Sequence, residues 1–273
     1  MTATEVIEQP RSLTGRAPQH RKKLFHLQAL RGLAASLVVI SHCADTLFVR
    51  HMIPETYAGR LGISGYFGVV TFFIISGFII YKTSRASFGH PRDIGAFVVK
   101  RLIRIFPVYW LATALFVVLD PHRSALTATD VLFSLALIPH VIPAMGNMHP
   151  IVGQGWTLQY EILFYALFAA SLVLPRRLGL AAITLTIVGL VALGSAFMPL
   201  SDMAEPMTLA SYWTRPIMLL FPIGIGFGLL EERIATRLSV PYPFTLMLAV
   251  LLAWFAYSLG MPLTASQQIQ FPT

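Results

Sequence analysis

The chain has little of what holds a secreted or water-soluble domain together. One cysteine, Cys43, stands among 273 residues, so no internal disulfide can form, and one thiol by itself cannot build a zinc site. Charged residues make up only 12% of the sequence, and the 12 acids are outnumbered by 20 Lys and Arg. With 56% hydrophobic residues and a mean hydropathy of +0.69, there is more apolar surface than a soluble core of this length could hide. A cleavable signal is missing too: residues 1–23 are polar, and the apolar stretch that follows is too long and has no small-residue cleavage site. The sequence shows no internal repeat and no second domain. The net charge of +8 is spread over loops without a nucleic-acid-binding motif, so no nucleic-acid partner is expected.

What is present is a series of apolar runs. Residues 24–45, 62–81, 105–119, 156–174, 178–198, 213–230 and 242–260 mostly approach the ~20 residues a helix needs to cross a bilayer. The expected fold is therefore an all-α, polytopic transmembrane bundle of about seven spans. A shorter run, 131–142, is too brief to cross and reads as a re-entrant or surface segment. Residues 1–23 read as a disordered cytoplasmic tail, and 24–273 as one membrane domain.

Basic residues orient the spans, because Lys and Arg near membrane ends favour the cytoplasm. Arg11, Arg16, Arg21, Lys22 and Lys23 put the N-terminus inside. The cluster from Lys82 to Arg104 follows the second span and is inside as well. Arg176 and Arg177 fall inside only if 131–142 does not cross, which leaves 143–155 on the outer side. Arg233 and Arg237 are then inside, Asp202 and Glu205 outside, and the C-terminus outside.

In "LQALRGLAASLVVISHC", residues 27–43, an arginine and a histidine interrupt an otherwise apolar span. Arg31 and His42 are eleven positions apart, which on a helix is within about 20° of one face and about 16 Å along the axis. Ionisable groups at membrane depth normally face a bundle interior or a wet cavity. The plainer alternatives are an arginine reaching the inner headgroups and a histidine bonded to a neighbouring helix. Gly32 and Ala35 offer a small-residue surface for close helix contact.

A second buried charge lies in "GQGWTLQYEILFYALFAA". Glu161 sits about one and a half turns inside the outer end of its span, near the depth of His42. An imidazole paired with a carboxylate suits a general base acting on a hydroxyl. The structural alternative is an ion pair of Glu161 with Arg215 or with another helix. Tyr160, Phe164 and Tyr165 surround Glu161, and Trp156 is an interfacial anchor. In "VVKRLIRIFPVYWL", Arg101 and Arg104 are three apart and could grip phosphate oxygens together; they could equally be plain topological signal. Pro107 is expected to kink or restart that helix. Gly65, Gly68 and Gly77 of "GYFGVVTFFIISGFIIYK" fit tight packing, with Ser76 as a polar residue mid-span. His122, His140 and His149 are outer-side histidines without metal-ligand spacing, so no metal site is expected, although His140 and His149 could touch an acceptor.

Taken in order, "LQALRGLAASLVVISH", "FFIISGF", "KRLIRIFPVYW" and "GWTLQYEILFYALFA" resemble the acyltransferase type 3 family, and within it the exopolysaccharide O-acetyltransferases of the succinoglycan type. The resemblance covers roughly residues 26–170. It implies an O-acyltransferase of the bacterial inner membrane that takes an acyl group, usually acetyl, from cytoplasmic acetyl-CoA and delivers it to a hydroxyl of a surface polysaccharide or lipid-linked sugar. Acetyl-CoA is then a donor substrate, and no bound cofactor is implied. His42 would be catalytic, as base or transient acyl carrier, with Glu161 its partner. Arg31, Arg101 and Arg104 would contact the donor, with Trp156, Tyr160 and Tyr165 as further substrate-binding residues. Such proteins commonly have about ten spans with both termini inside, so the seven-span count implies a C-terminally shortened chain. Two other classes fit the buried charges: a proton-coupled or small-solute transporter, for which paired broken helices are missing, and a non-catalytic partner in polysaccharide export.

Overall fold

The structure, a computed structural model, describes residues 17–119, 126–143, 145–199 and 206–235. Among the described residues there are eight α-helices and no strand: α1 (Ala17–Val49), α2 (Glu55–Ser84), α3 (Arg92–Leu119), α4 (Ala128–Leu135), α5 (Trp156–Ser171), α6 (Arg176–Phe197), α7 (Leu209–Trp213) and α8 (Leu220–Ala235). Short 3₁₀ turns at Gly153–Gly155 and Pro216–Leu219 lead into α5 and α8.

Five described stretches are long and apolar enough to cross a membrane: Leu27–Val49, Gly59–Ser84, Arg92–Leu119, Arg176–Phe197 and Leu209–Arg233. They coincide with five of the seven expected spans. The expected span 156–174 is α5, whose 16 residues give a rise of about 24 Å, short of the ~30 Å hydrocarbon core. The expected span 242–260 lies outside the described residues, as does His122.

Helix limits differ from expectation in two places. The first helix begins at Ala17, within the stretch assigned to a tail, because between Pro18 and Gly32 the chain is dominated by Lys, Arg, Gln, Leu and Ala, residues that favour helix. Pro107 neither ends nor restarts α3, which runs through it from Arg92 to Leu119. A proline inside a membrane helix is tolerated when local adjustment re-satisfies the freed carbonyl. The short run 131–142 matches expectation: α4 has eight residues, a rise of about 12 Å that cannot cross. A capping box fixes its start, with Thr127 Oγ1 accepting from the Asp130 N–H and the Asp130 carboxylate accepting from the Thr127 N–H at 2.8 Å.

Lipid tails are as apolar as leucine, so helices in a bilayer associate through close van der Waals contact instead of by escaping water. The packing of α2 shows how this is met. On one side, a Cβ at Gly65 would lie 2.4 Å from Ser41 Cβ, and one at Gly68 would lie 2.5 Å from the Ala34 carbonyl oxygen of α1. On the other, a Cβ at Gly77 would lie 2.2 Å from the Phe221 carbonyl oxygen of α8. So α2 is the middle of a three-helix layer, and the expected role of its glycines holds. The expected contact of Gly32 and Ala35 does not: both are exposed, and the small residue buried against α2 is Ala34. The register of α1 is set by Ala34 and Ser41, one helical face away.

Against this layer α5 lies deepest, with Tyr160, Phe164 and Phe168 fully buried. Phe164 stacks on Phe221 at 4.1 Å and 10°, and Phe97 of α3 stacks on Phe168 at 5.5 Å. Each such pair is worth about 0.5–1.5 kcal/mol beyond its area. One end of the bundle is pinned by charge. Lys82 Nζ donates to Glu231 Oε2 at 2.7 Å, Arg85 lies 3.5 Å from Glu232, and Arg176 and Tyr81 both donate to Glu232. The ends of α2, α6 and α8 that carry the basic clusters are therefore together, as the charge pattern requires.

Candidate active site

Arg31 and His42 on α1, Ser76 on α2, and Trp156 and Glu161 on α5 line one cavity of about 260 Å³. Phe73 and Phe221 form its apolar wall. The eleven-residue spacing of Arg31 and His42 thus places both on the face of α1 that lines the cavity. A second depression of about 710 Å³, open and mainly apolar, borders the other side of His42, so the imidazole stands between the chamber that holds Arg31 and Glu161 and an apolar flank.

The direct imidazole–carboxylate pair expected from sequence is not formed. His42 Nδ1 has Asp45 Oδ2 at 3.9 Å, one turn away on the same helix. Glu161 Oε1 instead accepts from Ser76 Oγ at 2.9 Å and from the Tyr165 hydroxyl. The two groups share the cavity without pairing, because Glu161 is bonded to Ser76 of α2 and to Tyr165 of its own helix. The alternative ion pair with Arg215 is not made either: the Arg215 guanidinium lies over the Trp156 ring at 5.6 Å.

The two arginines of α3 reach the same region from the charged end of the bundle. Arg101 donates to Thr83 Oγ1 at 2.8 Å and lies 5.8 Å from the Tyr165 ring centre. Arg104 is exposed and close enough to Tyr165 to act on it electrostatically. A polar path therefore runs from Arg101 through Tyr165 to Glu161 and the chamber.

Two aromatic residues expected to bind substrate are placed otherwise. Tyr160 is fully buried, stacks on Tyr212 at 4.8 Å and donates to its carbonyl oxygen at 2.6 Å. It packs α5 on α7, because its ring lies against Tyr212 and Trp213. Tyr165 is buried behind Glu161, bonded to it, and does not line the cavity. Trp156 does line it.

The two described histidines of the loop between α4 and α5 are likewise engaged. His140 Nε2 lies 3.2 Å from Asp130 Oδ1, tying the loop after α4 back to its first turn. His149 is buried and stacks on Trp156 at 6.1 Å and 20°. Burial, reinforced by the charge of Arg215, lowers its pKa from the usual 6.5 to about 4. An unfolded chain then binds the proton that the folded loop refuses, so the folded form loses stability as pH falls from about 6.5 to about 4. Tryptophan fluorescence should report this loosening at Trp156 across that window, and His149→Gln should flatten the curve; an unchanged profile in the variant would remove His149 as its source.

Three features were not singled out from sequence: the Ser76 bond to Glu161, the neighbouring Asp45, and Gln154, which lines both cavities. Only Ser76 carried a signal, as a hydroxyl in the middle of an apolar span.

The chain is similar in sequence to known proteins. Over 168 residues, 59% of this chain and 49% of the other, the sequence is 40% identical to the exopolysaccharide production protein ExoZ of Rhizobium meliloti (strain 1021). The chain thus aligns with about half the length of that relative. No solved structure matches. The acyltransferase domain family matches residues 25–271, nearly the whole sequence and all of the cavity, and the chain is an integral membrane protein that belongs to that family.

Proposed function

We propose that the protein is a membrane O-acyltransferase that moves an acyl group, acetyl in the simplest case, from cytoplasmic acyl-CoA to a hydroxyl of an extracytoplasmic polysaccharide or lipid-linked sugar. The observation that carries this reading is the shared cavity of Arg31, His42, Ser76 and Glu161. It offers a cation about 16 Å along the helix from an imidazole, a span suited to a donor whose phosphates stay at one end while its thioester reaches the other.

In this reading the His42 imidazole removes the proton of the acceptor hydroxyl as its oxygen attacks the thioester carbonyl. The C–S bond then breaks, and CoA leaves as a thiolate that takes up a proton. Glu161, across the cavity, stabilises the imidazolium electrostatically. Arg31, with Arg101 and Arg104 at the charged end, offsets the donor's phosphate charge. The N-terminus and the basic end of the bundle face the cytoplasm of a bacterial inner membrane, following the charge bias of the loops. This reading counts seven membrane segments, taking α5 and, from sequence alone, the apolar run 242–260 with the five long stretches.

The test uses a host that lacks other transferases of this class. Membranes carrying the protein, given radiolabelled acetyl-CoA, should label the polysaccharide, and mild base should release the label as acetate. A transporter or an export partner would change the amount of polysaccharide without labelling it, and that result would end the enzymatic reading.

A further inference from the structure

The Glu161 carboxylate is held in a one-sided way. Both of its hydrogen bonds, from Ser76 Oγ at 2.9 Å and from the Tyr165 hydroxyl, fall on Oε1. No described residue bonds to Oε2, although Glu161 lines the cavity. Each donor is itself fixed. Ser76 precedes Gly77, whose missing side chain lets α8 seat against α2. The Tyr165 ring lies edge-on to Phe97 at 6.4 Å, with the Arg101 guanidinium 5.8 Å from its centre.

We propose that Ser76 and Tyr165 are positioning residues for the reaction: they clamp Oε1 of Glu161 from α2 and from the next turn of α5, and so aim Oε2 at the reacting groups in the cavity. This rests on the acyltransferase reading above. A glutamate has three rotatable bonds, and an unrestrained carboxylate at a cavity wall would spread over several rotamers. Two hydroxyl donors on one oxygen select a single rotamer. Tyr165 adds a second property, since it is also the neighbour of Arg101. The clamp therefore connects the arginines at the charged end with the carboxylate in the cavity, and Tyr165 serves this connection without touching substrate.

The experiment compares acetyl-CoA turnover by Ser76→Ala, Ser76→Thr, Tyr165→Phe and Glu161→Gln, alone and combined, in membranes with matched protein levels. Ser76→Ala and Tyr165→Phe should each lower kcat about tenfold with the acetyl-CoA KM changed less than about twofold. Ser76→Thr, which keeps the hydroxyl, should recover most of the rate. In a Glu161→Gln background, Ser76→Ala should have no further effect, because the group it positions is already altered. Equal losses in both backgrounds would show that Ser76 acts through general packing and would overturn the clamp. Wild-type rates for both hydroxyl variants, with Glu161→Gln impaired, would also overturn the clamp while leaving the acyltransferase reading intact. A fully active Glu161→Gln would overturn the assignment of Glu161 itself.

Discussion

Replacing His42 by alanine is expected to lower acyl transfer by about 10²–10⁴-fold, the usual worth of a positioned general base, without lowering the amount of protein in the membrane. Both halves follow from where the side chain is. It lines the cavity with Arg31 and Glu161, yet it is 46% exposed, and its nearest charged neighbour is Asp45 at 3.9 Å. Removing it leaves no core void and no buried partner unsatisfied. The same geometry separates two candidate carboxylates. An exposed i,i+3 pair is worth only about 0.2–0.5 kcal/mol, so Asp45→Asn should cost less than about threefold in rate, whereas Glu161→Gln should cost far more. Transfer of labelled acetyl from acetyl-CoA in membranes measures all three. A His42→Ala protein retaining more than a tenth of the wild-type rate would remove the imidazole from the chemistry, and a larger loss for Asp45→Asn than for Glu161→Gln would make Asp45 its partner.

The sequence exposed the parts of this site that rest on helical periodicity and on the cost of charge in lipid. Arg31 and His42 share a face because eleven residues nearly complete three turns, and that held in three dimensions. Glu161 in an apolar run needed a polar surrounding, and it has one. What stayed hidden depends on which helix lies beside which. Nothing local tells that the partner of Glu161 comes from position 76 on α2, because the contact joins two helices 85 residues apart in sequence. Tyr160 and Tyr165, five apart, look alike in sequence. Their neighbours separate them: one points at α7 and is stacked there, the other supports the carboxylate. Pro107 did not restart the helix it sits in, and Gly32, expected to pack, is exposed, because which residues pack is set by what stands next to them. The charge pattern fared better, because Lys82, Arg85 and Arg176 all had to reach one end of the bundle to find Glu231 and Glu232.

The largest effect on stability should come from a single methyl group far from any charge. At Gly224 of α8 a Cβ would lie 2.1 Å from the Ile74 carbonyl oxygen and 2.9 Å from the Phe78 nitrogen. Both are backbone atoms of α2, so no side chain can swing aside, and Gly224→Ala must push the helices apart. Overpacking of this kind costs about 1–3 kcal/mol or more, against a helix-propensity gain of at most about 1 kcal/mol. Two residues on, a Cβ at Gly226 would meet nothing within 4 Å, so Gly226→Ala keeps the propensity gain alone and should match or exceed wild type. Thermal unfolding of the two variants in one detergent therefore isolates the contact from the amino-acid change. The displacement would also reach the site, because Phe221, one turn before Gly224, walls the cavity and packs on Phe73 at 4.8 Å. Transfer should accordingly fall in Gly224→Ala and persist in Gly226→Ala, although neither alters a polar group. Equal midpoints for the two proteins would mean that α8 does not press on α2 as closely as the wall of this cavity requires.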